Sequence, residues 1–433
     1  MAMRQILLLF FILGLCSCGN KEKPEEAKTT GHFSGVFGRG NFSDTINFEI
    51  EQDTTGYKVY FTSLSQNANR IPLQGIAVKG DSINFYLQSD FYRYSFKNKW
   101  TDNNTILQGS LTVDTVSVPY ALRRVDHDES QYPKSEDVRF ESEDLKLEGT
   151  IWYPSISKSR AIIILTSSGN ADRSASRAEA ILFAQMGFTT FHYDKRGTGD
   201  SEGNWQSASM ESLISDDIQA IKYFSGKTGI PLNAIGITGS SQGATKVPYI
   251  LRNIPELEFG VAVSYPGASL LESDLNYWKN RNADVLNEDL DTASELQRKV
   301  FEFVAGTRTK EDLEKEIYSS SSEEWFENVW IPDLEESQTD TKLLYSPIPY
   351  FETTKQPILI IQGSKDEIIP NDSYAIIEHA LRKAGNENFK TIILDGASHS
   401  MYYTGESDFP YWSKIHPDYF TTIEDWLANI SNR

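Results

Sequence analysis

A serine between two glycines follows an apolar, strand-like run and precedes a helical pattern. Residues 234–244 read AIGITGSSQGA, so the GSSQG segment stands between the two elements. A G-x-S-x-G sequence in that context puts its serine on a sharp turn, where side chains in place of Gly239 and Gly243 would collide. The N-terminus of the following helix directs free N–H groups and the positive end of its dipole toward the serine. The pattern therefore predicts Ser241 as a nucleophile for attack on a carbonyl group.

A serine hydroxyl is a weak nucleophile and needs a base, for which histidine is the usual residue. One of the six histidines, His399, stands in a loop directly after an apolar strand, in the sequence KTIILDGASHSMY. We therefore predict His399 as the base. The other five histidines stand in less suitable places. His32 falls in a β-rich region, His127 in a polar linker and His192 in a predicted strand. His379 falls in a predicted helix, and His416 lies near the last helix.

An acid must orient the histidine and stabilise its charged form. The apolar run PILIIQ at 357–362 precedes GSKDEIIP, which puts Asp366 at the carboxyl end of a predicted strand. We predict Asp366 as this acid, and we expect the adjacent Glu367 to point elsewhere. Asp395, which stands just before the histidine loop, is a second candidate. The order along the chain is then serine, aspartate, histidine.

Strands and helices alternate in the part of the chain that carries these residues. Apolar runs such as AIIIL at 161–165 are typical of strands covered on both faces, and helical patterns separate them. This alternation predicts a mostly parallel sheet with helices on both faces, built from residues 136–265 and 345–433. The charged stretch 266–344 interrupts the alternation between two strands and predicts a helical cap over the carboxyl edge of the sheet.

Residues 32–126 have a different pattern, in which short segments rich in aromatic and β-branched side chains alternate with Gly, Asn and Asp clusters. Such spacing predicts a small antiparallel all-β domain, either a barrel or a sandwich. The region has no cluster of histidines, cysteines or acids that indicates catalysis, and we interpret it as a structural or substrate-docking part. The polar, proline-containing stretch 127–135 is the predicted linker to the rest of the chain.

Residues 1–18 resemble a bacterial lipoprotein signal, with an apolar run too short to be a permanent membrane helix. Leu15 and Ser17 stand where that family has a branched apolar and a small residue before its lipid-bearing cysteine. The resemblance therefore implies a lipid anchor at Cys18, and the charged residues 19–31 predict a flexible tether. The protein would be held at the bacterial cell envelope, facing the periplasm or the exterior. An ordinary cleaved signal peptide is the alternative.

Composition disfavours several other classes of protein. The chain of 433 residues has 41 Lys+Arg against 61 Asp+Glu, a formal net charge of −20. This balance disfavours nucleic acid as a partner, because phosphates must be neutralised by basic residues. The only two cysteines lie in the leader, so the folded body can form neither a disulfide nor a thiolate metal site. No metal-binding set is evident, and we predict no metal and no cofactor. The sequence does not indicate an oligomeric state.

From about residue 136 to its end the chain resembles the α/β-hydrolase superfamily. It looks most like the branch of dienelactone-hydrolase-like esterases and bile-acid acyltransferase/acyl-thioesterase domains. The matching segments are GSSQG, GSKDEIIP, GASHS and the turn DKRGTGDS at 194–201. The resemblance implies the α/β-hydrolase fold and a serine hydrolase. We interpret the turn at 194–201 as a tight structural turn with an Asp–Arg pair, and not as part of the catalytic set.

Acyl transfer also needs two donors for the oxyanion that develops on the substrate. The backbone N–H of Gln242, the residue after the nucleophile, is the first predicted donor. The resemblance implies that the second lies in the loop TSSGNADR at 166–173, where relatives often carry His-Gly or Gly-Ser-Gly-Pro. This chain departs from both patterns, and the backbone N–H of Ser168 is the second predicted donor.

These expectations describe a serine hydrolase that cleaves a small carboxylic ester through an acyl-enzyme. A peptidase of the aminopeptidase or oligopeptidase type is the first alternative, because the same fold with an added β domain cleaves peptides in related families. An acyl-thioesterase or acyltransferase is a further alternative. A binding protein on an inactive hydrolase fold would lack part of the predicted triad, and no member is missing from this sequence.

Aromatic residues are plentiful near the predicted mouth of the site. They either line an apolar pocket or, as we favour, mainly hold the cap on its core. The residues concerned are Trp205, Tyr265, Trp278, Trp325, Trp330, Tyr402 and Tyr403.

Overall fold

The computed structural model describes residues 28–89, 92–126 and 132–430. The predicted lipoprotein signal lies outside these ranges, together with Cys18, His127, most of the tether and part of the linker. Among the described residues, no helix combines the length and the apolar character needed to cross a bilayer.

The first nine strands of the described residues form one antiparallel sheet that closes on itself. They are β1 Gly31–Arg39, β2 Phe42–Asp53, β3 Gly56–Ser63, β4 Ala68–Pro72, β5 Gln74–Lys79, β6 Ser82–Gln88, β7 Arg93–Thr101, β8 Ile106–Val113 and β9 Val116–Val125. Chain neighbours pair with one another except at β4 and β5, and β9 returns to pair with β1. Only Leu73 separates β4 from β5, so the two can be regarded as one strand with a bend at this residue. The β4 half pairs with β3 and the β5 half pairs with β6, and the bent strand thereby closes the ring. The predicted antiparallel all-β domain is confirmed, and its form is a barrel.

The interior of the barrel is filled with side chains. Along β7, buried residues alternate with more exposed ones, as the two-residue period of a strand requires. Aromatic rings from different strands meet inside: Phe48 packs edge-to-face on Phe85 and Phe96, with ring centroids 4.9 and 5.1 Å apart. The inward face of the barrel is therefore a packed hydrophobic core.

The second sheet has eight strands in the order β10-β11-β13-β12-β14-β15-β16-β17. They are β10 Lys134–Ser142, β11 Leu145–Tyr153, β12 Ala161–Ile164, β13 Thr189–Tyr193, β14 Ile235–Ser240, β15 Phe259–Val263, β16 Ile358–Gly363 and β17 Phe389–Leu394. The β10–β11 hairpin is antiparallel and joins the sheet antiparallel to β13, whereas the remaining neighbours are parallel. The mostly parallel sheet predicted from the alternation of elements is confirmed.

Helices cover both faces of this sheet. The α-helices of the described residues are α1 Arg177–Gln185, α2 Met210–Thr228, α3 Gln242–Asn253, α4 Leu270–Leu286, α5 Leu290–Val304, α6 Lys310–Ser320, α7 Ile348–Phe351, α8 Ser373–Lys383 and α9 Asp418–Ile430. Neighbouring residues of β12 face opposite sides of the sheet. On one side, Ile163 belongs to the hydrophobic cluster that contains Phe224 of α2. On the other side, Ile162 belongs to the cluster that contains Phe183 of α1 and Trp426 of α9. Such alternation is the reason that β12 is apolar at every position.

Two helix boundaries differ from the sequence prediction. A helix is predicted over 174–186, but a 3₁₀ turn occupies the segment before α1, because the Asp172 side chain accepts a hydrogen bond from the Ser174 N–H and starts that turn. The sequence also predicts a helix over 210–223, but α2 continues past residue 223. It ends where Gly229 adopts a left-handed φ of 73°, a conformation that glycine adopts without steric cost.

The insertion between β15 and β16 contains α4, α5 and α6, so the predicted helical cap is present. It has a hydrophobic cluster of its own, to which Trp278 and Trp325 contribute. Those two tryptophans therefore hold the cap on its own core, which is the role we favour from the sequence. Trp330 is 50% exposed and lies at the surface.

A segment between two short strands links the catalytic half of the chain to the barrel. β18 Tyr402–Tyr403 pairs with β19 Lys414–Ile415, and we call the intervening residues 404–413 the barrel loop. Its Phe409 and Trp412 are buried in the barrel core. The Trp412 indole N–H donates to the Asp44 carboxylate of β2 at 2.6 Å. Because the barrel loop begins five residues after His399, the barrel packs directly on the part of the chain that follows the predicted base.

Candidate active site

The turn that carries Ser241 is strained. Ser241 lies between β14 and α3 with φ 53° and ψ −123°, a backbone conformation that a non-glycine residue adopts only when its surroundings enforce it. The turn is so tight that a Cβ on Gly239 would lie 2.5 Å from the Gly243 carbonyl carbon. Steric contact therefore requires glycine at 239, as the sequence predicts, whereas a Cβ on Gly243 would make only a tight contact, 3.0 Å from the Thr166 carbonyl oxygen.

The three predicted catalytic side chains form one hydrogen-bonded series. His399 Nε2 lies 3.0 Å from Ser241 Oγ, and His399 Nδ1 lies 3.0 and 3.1 Å from the two carboxylate oxygens of Asp366. His399 is 9% exposed and Asp366 is 5% exposed, so the series is shielded from bulk water. An aspartate that accepts from Nδ1–H leaves Nε2 free to accept the serine proton.

Asp366, and not Asp395, is the carboxylate within hydrogen-bonding distance of the imidazole. Asp366 Oδ1 also accepts from the N–H groups of Ile368 and Ile369, each at 2.9 Å, which holds the carboxylate in one orientation. Asp395 accepts instead from the Ser364 hydroxyl at 2.9 Å. That bond stabilises the turn after β17 and leaves Asp395 with a structural contact.

Glu367 takes a position that the sequence did not indicate. Its carboxylate accepts from the backbone N–H of His399 at 3.2 Å. Ser264, at the end of β15, donates from its hydroxyl to the His399 carbonyl. The backbone of the histidine is therefore held on both sides, and no sequence motif marks either contact.

Two other histidines have structural partners. His192 is buried in β13, where its Nε2 accepts from the Trp152 indole N–H at 3.1 Å. Burial, with the nearby charges of Arg177 and Arg173, lowers the pKa of His192 to about 3, so this imidazole stays neutral. His416 lies within 3.1 Å of the Asp395 carbonyl through its Nε2.

The two predicted oxyanion donors flank Ser241. Gln242 is the first residue of α3, and Ser168 and Ser241 line the same two cavities. Within the described part of the chain, the backbone N–H of each is without a hydrogen-bond acceptor. Two such free amides beside the nucleophile are what a developing oxyanion requires.

The turn at 194–201 differs from its predicted pairing. Asp194 forms its ion pair with Arg173, from the segment before α1, and accepts from the Arg173 N–H at 2.7 Å. Arg196 pairs instead with Asp216 of α2, at 2.6 Å. The Asp–Arg pair that we expect inside the turn is therefore absent among its described contacts, because each partner has a better-placed charge on a neighbouring element.

A cavity of about 540 Å³ opens at Ser241 and His399. Three regions of the fold contribute to its wall: the barrel through Asn67, the cap through Asp274, and α1 through Glu179. A second cavity of about 180 Å³ also reaches Ser241, on the side of Trp205 and Gln242. Ser241 therefore lies where the two cavities meet.

The carboxylates of the larger cavity give its wall an acidic character. Asp172, Glu179 and Asp274 line it, and no lysine or arginine is among the described lining residues. Burial raises the pKa of Glu179 to about 7, against the opposing hydrogen bond from the Tyr419 hydroxyl. Burial and the charge of Asp340 raise the pKa of Asp274 to about 6. Sequence reasoning missed Glu179, because nothing along the chain distinguishes it from any other acid on an amphipathic helix.

Across residues 28–89, 92–126 and 132–430, no three His, Cys, Asp or Glu side chains are grouped closely enough to hold a metal ion.

Comparison with known proteins gives a family. The sequence profile of the X-Pro dipeptidyl-peptidase (S15 family) matches residues 116–401, which is more than half of the chain. No curated protein is significantly similar in sequence.

Solved structures with a similar fold include esterases and peptidases at low identity. An esterase from Pyrococcus furiosus, Pf2001, is 17% identical, covers 70% of this chain and 92% of its own, and has a TM-score of 0.45. A proline iminopeptidase from Mycobacterium smegmatis is 16% identical, with 68% and 98% covered and a TM-score of 0.45. An acylaminoacyl peptidase from Pyrococcus horikoshii is 17% identical, with 91% and 61% covered and a TM-score of 0.46.

The profile match spans the segments that carry the nucleophile, the acid and the base, and it agrees with the superfamily that the motifs predict. The chain is an enzyme of the serine hydrolase type with the α/β-hydrolase fold, and it belongs to the X-Pro dipeptidyl-peptidase (S15) family.

Proposed function

We propose that this serine hydrolase cleaves a carboxylic ester through an acyl-enzyme. Ser241 Oγ attacks the carbonyl carbon while His399 Nε2 accepts its proton, and Asp366 stabilises the imidazolium that forms. The N–H groups of Gln242 and Ser168 bind the oxyanion. The single observation that supports this proposal is the series of 3.0 Å contacts from Ser241 through His399 to Asp366.

The second half of the reaction uses the same groups in reverse. The tetrahedral intermediate collapses, the ester C–O bond breaks, and His399 Nε2 returns its proton to the departing alkoxide. Water then attacks the Ser241 ester with His399 as base, and the acid product leaves with the serine hydroxyl restored. The net reaction consumes one water and yields an alcohol and a carboxylic acid.

We propose an ester as the first choice of scissile bond because an alkoxide leaves more readily than an amine. The triad and the two amide donors suffice to cleave such a bond. A thioester or an acyl transfer to an alcohol would use the same atoms and is a further candidate. The choice among these bonds depends on the leaving group, which the smaller cavity beside Trp205 would hold.

A peptidase acting on a free peptide N-terminus is the second candidate function. Membership of a family named for X-Pro dipeptidyl-peptidases supports it. The acidic wall of the larger cavity also supports it, because Glu179 and Asp274 would pair with an α-ammonium group. Bringing that cation beside Glu179 would favour the ionised carboxylate and offset the effect of burial.

We also propose that the enzyme is attached to the bacterial cell envelope by a lipid at Cys18. The sequence around that cysteine supports this proposal, and the charged tether at 19–31 would keep the catalytic half in water.

The nucleophile is tested with a fluorophosphonate probe and p-nitrophenyl acetate. Ser241→Ala should abolish labelling and lower turnover by about 10⁴-fold or more, because no other hydroxyl of the described residues is hydrogen-bonded to His399 Nε2. The adjacent Ser240→Ala is the matched control and should still be labelled. Unchanged labelling of Ser241→Ala would exclude Ser241 as the nucleophile.

The acid is tested by comparing two aspartates at the same edge of the sheet. Asp366→Asn should lower kcat by about 10⁴-fold, because an amide no longer stabilises the imidazolium or the correct tautomer. Asp395→Asn should change kcat by less than about 10-fold, because the Asp395 carboxylate accepts from the Ser364 hydroxyl, whereas Asp366 is the carboxylate beside the imidazole. Steady-state kinetics on folded protein, checked by thermal melting, decides between them, and the opposite ranking would transfer the role to Asp395.

The peptidase candidate is tested at Glu179 with paired substrates. Glu179→Gln should lower kcat/KM by about 10-fold or more on aminoacyl p-nitroanilides with a free amine, since a charged hydrogen bond contributes about 1.5–3 kcal/mol. The N-acetylated anilides lack the ammonium and should be unaffected. Absence of anilide cleavage by the native enzyme, or equal loss on both substrates, would count against a peptidase of this kind.

The anchor is tested by fractionating cells that express the full chain. Cys18→Ala should move the protein from the membrane to the soluble fraction, because lipid attachment is lost. Cys16→Ala is the control and should remain with the membrane. Membrane retention of Cys18→Ala would contradict the lipid anchor.

A further inference from the structure

The loop that carries Ser168 is held by a buried lysine that the mechanism so far does not use. Lys195 lies in the turn after β13 and is only 2% exposed. Its ammonium donates to the carbonyl of Ser167 at 2.7 Å and to the carbonyl of Gly169. One cation therefore binds two carbonyls on either side of the predicted oxyanion donor.

Planarity of the peptide bond gives these contacts a consequence for Ser168. In a trans peptide the C=O of one residue and the N–H of the next point in opposite directions. The Ser167 carbonyl points toward Lys195, so the Ser168 N–H points away from the lysine. Ser168 lines both cavities that meet at Ser241, so an N–H with a fixed direction there can serve as an oxyanion donor.

Other contacts hold the start of the same loop. The Ser167 hydroxyl donates to the Ser240 carbonyl at 2.9 Å, which ties the loop to the turn of the nucleophile. Lys246 of α3 donates to the Thr166 hydroxyl at 2.8 Å and forms a fully buried ion pair with Asp217 at 2.5 Å. Contacts that do not involve Lys195 thus hold the start of the loop. The carbonyls of Ser167 and Gly169, in contrast, are held in place by Lys195.

We infer that Lys195 is a positioning residue for the oxyanion hole, which its ammonium keeps in working geometry by binding the carbonyls on both sides of Ser168. The inference rests on the proposed acyl-transfer function, and it holds for an ester or a peptide substrate. Lys195 acts through the loop and does not touch the reacting atoms.

The charge of Lys195 gives the inference a pH dependence. Burial lowers the pKa of Lys195 to about 8, the charges of Lys246 and Lys342 act in the same direction, and Asp217 opposes them. The Trp205 ring, with its centroid 4.3 Å from the ammonium, also faces it. Below about pH 8 the lysine is charged and its bonds to the carbonyls are charge-assisted. Above that pH the amine is neutral, so the loop is held less firmly and kcat should fall.

The test measures the rate of fluorophosphonate labelling and, separately, kcat and KM on a p-nitrophenyl ester. Lys195→Met should lower the labelling rate and kcat by about 10- to 100-fold. Complete removal of one oxyanion donor lowers kcat by about 10²–10³-fold, and a donor that is only displaced should cause a smaller loss. KM should stay within about twofold, since Lys195 is not among the described lining residues of either cavity at Ser241. Lys222→Met, at an exposed lysine of α2, is the matched control and should behave as the native enzyme.

A conservative variant separates positioning from a merely structural role. Lys195→Arg keeps a positive charge far above pH 8. It should recover much of kcat, and it should remove the alkaline decline that we expect of the native enzyme near that pH. Retention of the native kcat by Lys195→Met would overturn the inference. So would a rise in KM alone, or an unchanged alkaline decline in Lys195→Arg. If the native protein is not labelled at Ser241 at all, the proposed function fails first, and the role of Lys195 fails with it.

Discussion

The hydrogen bonds of the parallel sheet are the constraint on which the site depends. β14, β15, β16 and β17 are paired side by side in parallel, so their carboxyl ends meet at one edge. Ser241 follows β14, Asp366 follows β16 and His399 follows β17. His399 is 33 residues from Asp366 and 158 residues from Ser241 along the chain, yet its ring nitrogens lie 3.0 Å from an oxygen atom of each. No long loop has to cross the described fold to bring these side chains together.

Close approach between the loops completes this arrangement. Gly363 ends β16, and a Cβ there would lie 2.1 Å from the Ala397 carbonyl oxygen, so any larger residue would push the histidine loop away from the aspartate. The cap contributes from the other side, where Asn276 and Asn280 of α4 donate to the carbonyls of Ile368 and Glu367. The barrel contributes through the barrel loop that follows His399. Three parts of the fold thus hold the loops of the acid and the base, which suits a site that must keep its geometry through two half-reactions.

Charge is distributed unevenly around the nucleophile. Lysines lie behind the loop of the oxyanion donors, where Lys195 and Lys246 bind backbone and side-chain oxygens. Carboxylates line the larger cavity in front, where desolvation by the surrounding protein raises the pKa values of Glu179 and Asp274. A preorganised positive environment behind the donors favours the oxyanion, and an acidic cavity favours a substrate that carries a cation.

The sequence by itself determined the candidate nucleophile, base and acid, and the order of elements that brings them to one edge. These follow from local patterns: two glycines around Ser241, an apolar strand before each catalytic loop, and strand–helix alternation that permits few topologies. Tertiary structure decided the rest. It chose Asp366 over Asp395 as the partner of His399, paired Asp194 with Arg173, placed Glu179 in the cavity wall and Lys195 against the Ser168 loop, and packed the barrel loop into the barrel core. None of these contacts has a local signature, because each joins residues from separate elements whose distance depends on how helices and sheets pack, and not on spacing along the chain.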